Sequence, residues 1–103
     1  MKNIYSNIFS FNKKILKKTI KTLNLGNLAG LPTETVYGLA GNAYSNKAVK
    51  KIYNLKKRPK KNPLIIHYYS SKMANNDVLL NDNFFKLYKK FCPGPLTFVL
   101  KKK

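Results

Sequence analysis

The chain has 103 residues, which is enough for one domain but not for two. Its 21 basic and three acidic residues give a formal net charge of +18, while an aromatic content of 13% argues against a disordered chain. A single cysteine excludes both an intrachain disulfide framework and a cysteine-cluster zinc site, and it indicates a reducing compartment. No apolar run approaches the roughly 20 residues of a membrane span, so the sequence predicts a small, soluble, cytoplasmic protein without a membrane partner.

The first predicted element is an amphipathic helix over residues 10–23. Apolar side chains recur at helical spacing along one face, and lysines occupy most of the other. Ser10 or Asn12 could cap this helix, and Gly26 lies just past its end. We expect the helix to pack on a sheet, with binding to an anionic lipid surface as the alternative.

A strand, a polar segment and a second helix follow. Residues 28–31 predict a short strand, which runs into the polar segment 32–38. Ser45 then predicts the N-cap of a helix that reaches about residue 57. Pro59 ends that helix, because the residue before a proline is pushed out of the helical region.

The second half of the chain predicts strand, helix and strand. Residues 64–69 form a continuous apolar run, which is typical of a strand covered on both faces. Asp82 is the predicted cap of a third helix that ends near residue 91, and residues 96–100 predict a final strand. The inward residues of the third helix are expected to be aromatic: Phe84, Phe85, Tyr88 and Phe91. Helices that alternate with strands indicate an α/β fold.

The positive charge has two explanations, and the sequence leaves both open. A chain carrying +18 is attracted to nucleic acid and other polyanions. However, 20 of the basic residues are Lys, alongside 13 Asn and seven Ile, which are amino acids that AT-rich codons encode. Against this background, three of the residues that are the only ones of their type are informative: Arg58, His67 and Glu34.

Several common kinds of site are excluded or disfavoured. The sequence contains no glycine-rich phosphate loop of the P-loop or dinucleotide type. Asp77 and Asp82 do not form a close carboxylate pair; they lie in a polar loop and at a helix cap. Cys92, between Phe91 and Pro93, is predicted to be a small buried residue rather than a nucleophile.

Two segments remain as candidate sites. Residues 32–38 place three hydroxyls and one carboxylate at the carboxyl end of a strand, where open α/β sheets bind ligands; the alternative is an ordinary polar turn. The second segment, residues 56–63, begins with five cations in six residues, which could surround a polyphosphate; the alternative is a solvated basic loop. His67 follows this second segment, and its alternative role is that of a core histidine.

Four parts of the chain agree in order, spacing and identity with one family. They are PTETVYGL at residues 32–39, KKRP at 56–59, NPLIIH at 62–67 and PGPLT at 93–97. Together they closely resemble the YrdC-like family, the threonylcarbamoyl-AMP synthases, over nearly the whole chain.

The resemblance implies a twisted sheet flanked by helices, of which residues 1–103 would form only the first half. Members of the family continue into a Ser-x-Ser-Ala-Asn-like segment that this sequence lacks. We therefore expect an incomplete YrdC-like domain whose final strand should be interior. A partner chain that completes the fold is one expected consequence, and doubtful activity of these residues alone is another.

The activity implied by the resemblance joins L-threonine, bicarbonate and ATP into threonylcarbamoyl-AMP with release of pyrophosphate. The product supports the threonylcarbamoyladenosine modification of tRNA. The implied ATP-binding residues are Lys56, Arg58 and Asn62, with Mg²⁺ accompanying ATP and no metal held by the protein. No residue is assigned as catalytic.

The implied threonine-binding residues come from the polar segment 32–38 and from the predicted strand at residues 64–69. Thr35 and His67 would hold L-threonine through hydrogen bonds, and Thr33 and Tyr37 would shape the pocket. The alternative functions are a non-catalytic module that binds double-stranded RNA or tRNA, and an inactive gene fragment.

Overall fold

The computed structural model describes residues 8–103, and the chain divides into two compact units, Met1–Leu64 and Ile65–Lys103. The first unit contains α1 (Lys13–Asn24), β1 (Ala29–Pro32), β2 (Tyr37–Ala40) and α2 (Asn46–Lys56). The second contains α3 (Ser71–Ala74) and α4 (Asp82–Phe91). Helices combined with a sheet confirm the predicted α/β class.

Helix α1 begins where a local side-chain acceptor is available. Asn12 adopts an extended backbone, and its Oδ1 accepts a hydrogen bond from the N–H of Ile15 at 2.9 Å, which satisfies a donor that the first turn leaves unpaired. Gly26 follows the helix with φ of +79°, a conformation that glycine adopts without a Cβ clash. The predicted helix is confirmed, with Asn12 rather than Ser10 as its cap.

The two strands form an antiparallel hairpin, with Ala29 opposite Ala40 and Pro32 opposite Tyr37. The polar segment predicted to follow a strand of an open sheet is therefore mostly the turn and second strand of this hairpin. Sequence reasoning missed β2 because it is only four residues long and contains glycine, which is depleted in strands.

Helix α2 supplies most of the core of the first unit. Ser45 Oγ accepts a hydrogen bond from the N–H of Ala48 at 3.1 Å, which confirms the predicted cap. Ala48 and Ile52 are buried on the face that meets Gly41. A Cβ built on Gly41 would lie 2.8 Å from Leu28 Cδ2 and 3.3 Å from side-chain atoms of both core residues. The absence of a side chain at residue 41 therefore allows the hairpin to approach α2.

The prediction of a strand over residues 64–69 is wrong. This segment belongs to no strand, and Ile65 and Ile66 are 67% and 53% exposed. An extended segment becomes a strand only when a neighbour accepts its backbone hydrogen bonds, and among residues 8–103 none pairs with it. The side chain of Tyr68 instead anchors it, donating from Oη to Oδ2 of Asp77 at 2.9 Å.

Helix α4 has the predicted position but a different cap and a smaller core. Asn81 Oδ1 accepts from the N–H of Phe84 at 2.8 Å, so Asp82 is the first helical residue rather than the cap. Phe84 is buried, whereas two of its expected companions, Phe85 and Phe91, are each about half exposed. The ring of Phe84 contacts those of Phe85 and Tyr88, and it also packs on Phe98, with centroids 4.6 Å apart.

The final predicted strand is also not formed in the described residues. Residues 96–100 carry no partner strand, and the nearby pairing is an isolated bridge between Val78 and Lys102. The N–H of Leu79 donates to the carbonyl of Lys101 at 2.8 Å beside this bridge. Cys92 is half-buried, less than predicted, and the one-turn helix α3 was not predicted.

Candidate functional site

The first candidate segment is the turn between β1 and β2. Thr33 closes it: its N–H donates to the carbonyl of Val36 at 2.9 Å, and its Oγ1 accepts from the N–H of Val36 at 3.2 Å. The Thr33 hydroxyl also donates to that carbonyl. The predicted threonine-pocket residue Thr33 therefore has a local structural role, because its hydroxyl holds the turn together.

Two other predicted threonine-binding residues lie in the closed turn or directly after it. Thr35 lies at its exposed tip beside Glu34, and Tyr37 begins β2 with 83% of its surface exposed. Within the described residues neither hydroxyl makes a hydrogen bond. The turn thus brings Thr33, Thr35 and Tyr37 into one short stretch and leaves two hydroxyls available to a ligand.

The second candidate segment begins at the end of α2. Lys57 takes the left-handed conformation, with φ of 51° and ψ of 37°, which is uncommon for a residue other than glycine. The N–H of Lys57 donates to the carbonyl of Asn54 at 3.2 Å, and that of Arg58 to the carbonyl of Tyr53 at 3.0 Å. This pair of bonds is the Schellman arrangement, which ends a helix and turns the chain away from its axis.

The side chain of Arg58 holds the loop that follows. Its Nε donates to the carbonyl oxygen of Asn62 at 3.3 Å, and its Nη2 donates to the carbonyl oxygen of Pro63 at 2.9 Å. The N–H of Asn62 donates in turn to the carbonyl of Pro59 at 3.0 Å. The guanidinium thus closes residues 58–63 into a ring. The remaining nitrogen of Arg58, Nη1, makes no hydrogen bond within the described residues.

Tyr53 lies in α2 and binds this segment through its hydroxyl, a contact that sequence reasoning missed. Its helical spacing places it on the apolar stripe of α2, but its Oη donates to the carbonyl of Asn62 at 2.8 Å. Helical periodicity accounts for the ring and gives no sign of the hydroxyl's partner, which lies nine residues along the chain.

The second candidate segment, residues 56–63, is strongly positive. Its four lysines are exposed while Arg58 is half-buried, and Glu34 is the only acidic residue among the first 64. Like charges spaced this closely repel one another, and a bound polyanion would relieve that repulsion. The lysines are Lys56, Lys57, Lys60 and Lys61.

The remaining predicted site residue, His67, belongs to the second unit. It is exposed, and it lies in the segment 64–69 that was predicted to be a strand. The structure therefore gathers Lys56, Arg58 and Asn62 around one loop of the first unit, and the three hydroxyl residues around its hairpin turn.

Neither of two cavities in the second unit, nor any group of metal ligands in the described residues, competes with these two segments. Two surface depressions of about 150 and 460 Å³ occur in the second unit, and no predicted site residue lines either of them. Among residues 8–103, no three His, Cys, Asp or Glu side chains are grouped to hold a metal ion. No helix in that range has the length and apolar character to cross a membrane.

Comparison with known proteins identifies related sequences. A family model for the Sua5, YciO and YrdC proteins, described as telomere recombination, matches residues 21–103. The threonylcarbamoyl-AMP synthase of Pyrococcus abyssi is 49% identical over 80 residues, which are 75% of this chain and 23% of that protein. The threonylcarbamoyl-AMP synthase of Bacillus subtilis is 39% identical over 92 residues, or 88% of this chain and 27% of that protein.

A protein of Methanocaldococcus jannaschii, which carries the same enzyme name provisionally, is 37% identical over 107 aligned positions. That alignment covers 100% of this chain and 52% of the relative. The chain therefore spans between about a quarter and a half of the length of these three relatives. No solved structure gave a significant match. Since the family model covers most of the chain, the chain belongs to the Sua5, YciO and YrdC family, the YrdC-like family that its four motifs predicted.

Proposed function

We propose that this chain forms the phosphate-binding and threonine-binding part of a threonylcarbamoyl-AMP synthase. The reaction would join L-threonine, bicarbonate and ATP into threonylcarbamoyl-AMP and pyrophosphate, for the threonylcarbamoyladenosine modification of tRNA. The names of the relatives support this activity. A cytoplasmic location is part of the proposal, because tRNA, ATP and L-threonine are all found there.

The observation that carries the proposal is the closed basic loop after α2. The carbamate of threonine is a weak anionic nucleophile that must approach the anionic α-phosphate of ATP. Much of the barrier to that attack is charge repulsion and alignment, which cations fixed in place relieve without transferring a proton. A basic loop whose backbone is held by internal hydrogen bonds offers such fixed charge.

Each predicted phosphate ligand has a defined position in this arrangement. Lys56 ends α2 and is exposed, and Arg58 retains Nη1 after its other bonds to the loop are made. Asn62 uses its backbone to close the ring, which leaves its side-chain amide for a ligand. Mg²⁺ would arrive with ATP as part of the substrate, held by the phosphates and water.

The hairpin turn is the proposed binding site for L-threonine. The hydroxyls of Thr35 and Tyr37 can donate to its carboxylate, and Thr33 keeps the turn in shape through its bonds to Val36. His67 is proposed as a further hydrogen-bonding partner of L-threonine. Its exposed imidazole lies in a segment that carries the family motif at residues 62–67.

Calorimetric titration of the chain with Mg²⁺-ATP tests the proposal. Lys56→Gln removes one charge, and Arg58→Lys removes the planar fork while keeping its charge. We expect each to weaken ATP binding by about 1–3 kcal/mol, the range for hydrogen bonds to charged groups. Lys89→Arg, on the exposed surface of α4, is the matched control. Equal ATP affinity in the wild type and both loop variants would remove the loop from the site.

The distribution of charge supports a second, non-catalytic candidate. All five lysines of α1 are exposed, and the chain carries a net charge of +18, so its surface suits phosphate contacts without sequence readout. Double-stranded RNA or tRNA is the proposed partner, and the dependence of binding on salt distinguishes this function from codon bias. These lysines are Lys13, Lys14, Lys17, Lys18 and Lys21.

A further inference from the structure

We propose that Tyr53 is a positioning residue for the phosphates of ATP, acting through the carbonyl of Asn62. This inference rests on the proposed function and adds a residue that none of the four family motifs includes. Tyr53 lies one turn before the end of α2, so its ring is fixed by the helix, while its hydroxyl reaches into the loop at residues 57–63.

The geometry shows why a single hydroxyl matters. The carbonyl oxygen of Asn62 accepts two hydrogen bonds, from Tyr53 Oη at 2.8 Å and from Arg58 Nε at 3.3 Å. The bond from Tyr53 is the shorter one, and its donor is attached to a regular helix. Arg58 closes the ring from within the loop. Because its own N–H donates to the carbonyl of Tyr53, it links the far end of the ring to α2 only indirectly, and a direct attachment requires a donor on the helix. Tyr53 supplies that attachment.

Two features of the loop favour its displacement when it is not attached to α2. Its cations repel one another, and Lys57 stands in the left-handed conformation, which costs a residue with a Cβ free energy. The hydrogen bond from Tyr53 to the carbonyl of Asn62 is a tether to the helix, and it opposes both the repulsion and the strain. With the tether, the lysines and the free nitrogen of Arg58 keep one arrangement before ATP arrives, so less ordering remains to be done on binding.

The position of the tether also decides which ligand it affects. Tyr53 donates to the far end of the basic loop and makes no hydrogen bond to the hairpin turn, where L-threonine is proposed to bind. Loss of the hydroxyl should therefore weaken ATP binding selectively. A general loss of folding would weaken both ligands together.

The test compares Tyr53→Phe, which removes only the hydroxyl, with Tyr69→Phe as control. Tyr69 is 94% exposed and belongs to no proposed site. Limited trypsin digestion of the 103-residue chain, read by mass spectrometry, reports on the loop through cleavage after Lys60 and Lys61. Calorimetry with Mg²⁺-ATP and separately with L-threonine reports on the two ligands.

We expect Tyr53→Phe to be cleaved several times faster in the loop, with cleavage after Lys89 in α4 unchanged. ATP affinity should fall about threefold to tenfold, the equivalent of one hydrogen bond, while L-threonine affinity stays at the control value. In combination with Arg58→Lys the loss should be non-additive, since both side chains donate to one oxygen.

Four outcomes would overturn the inference. Unchanged cleavage would show that the hydroxyl does not hold the loop, and unchanged ATP affinity would show that the loop's position does not matter to the phosphates. An equal loss for ATP and L-threonine would show a structural role only. A wild-type chain that binds no ATP would overturn the proposed function together with this inference, and the cleavage rates would still show whether the tether exists.

Discussion

Thr33 and Val36 are joined by reciprocal hydrogen bonds across the tip of the β1–β2 hairpin. The N–H of Thr33 donates to the carbonyl of Val36 at 2.9 Å, and the N–H of Val36 donates to the Thr33 hydroxyl at 3.2 Å. A hydroxyl that was expected to face a ligand is thus part of the turn, and its neighbour Thr35 is left as the exposed hydroxyl at the tip.

This relationship predicts that Thr33→Val destabilises the first unit by about 1 kcal/mol, the typical net value of a hydrogen bond. The isosteric change removes the hydroxyl and leaves the N–H of Val36 without its acceptor. Urea denaturation followed by circular dichroism measures the effect, with Thr35→Val as the control that should stay near wild type. Equal stability of the two variants would contradict the role assigned to Thr33.

The close approach of the hairpin to α2 predicts opposite behaviour at two glycines. Gly41→Ala places a methyl group 2.8 Å from Leu28 Cδ2 and 3.3 Å from both Ala48 and Ile52, and overpacking of this kind typically costs about 1–3 kcal/mol. Gly30→Ala meets nothing within 4 Å and should be neutral or slightly stabilising, because alanine restricts the unfolded chain. Thermal unfolding of both variants is the measurement. A Gly41→Ala protein as stable as Gly30→Ala would mean that the contact between hairpin and helix is looser than described.

The conformation of Lys57 predicts a stabilising substitution at the candidate site. Glycine adopts φ of 51° without a Cβ clash, so Lys57→Gly should raise the free energy of unfolding by about 0.5–1 kcal/mol. Lys60→Gly is the control, since no left-handed strain exists there to be relieved and glycine adds freedom to the unfolded chain. Chemical denaturation should give a free energy of unfolding above that of the wild type for Lys57→Gly and below it for Lys60→Gly.

A second measurement on Lys57→Gly separates stability from function. The variant also removes one cation of the basic loop, so its ATP affinity should fall while its stability rises. If affinity were kept or improved, the ammonium group of Lys57 would have no part in binding the phosphates.

The exposed lysines of α1 predict salt-sensitive binding of RNA. The logarithm of the binding constant for a double-stranded RNA should fall linearly with the logarithm of salt concentration, because bound counterions are released. Replacement of Lys13, Lys17 and Lys21 by Gln should reduce that slope by about 1 for each phosphate that a lysine no longer neutralises. Fluorescence anisotropy over a salt series gives the slope, and unrelated RNA sequences should behave alike. No binding at low salt would leave codon bias as the explanation of the charge.

The sequence by itself determined the elements whose signals are local. Helix ends depend on one side chain that accepts from an N–H three residues away, so residue type and position alone identify Asn12 and Ser45 as candidate caps. The family motifs are local in the same sense, because each is a short run of residues in a fixed order. The residues of both candidate segments are recognisable for this reason.

Only the tertiary structure decided which extended segments became strands and which donors were already in use. Apolar runs such as residues 64–69 suit a strand, but pairing depends on a neighbour elsewhere in the chain, and none pairs with this segment in the described residues. The partners of Tyr53 and Arg58 likewise depend on the path of the loop, which brings the carbonyl of Asn62 back to α2. Residue type determines which hydrogen bonds a side chain can donate, whereas the folded backbone determines where an acceptor lies.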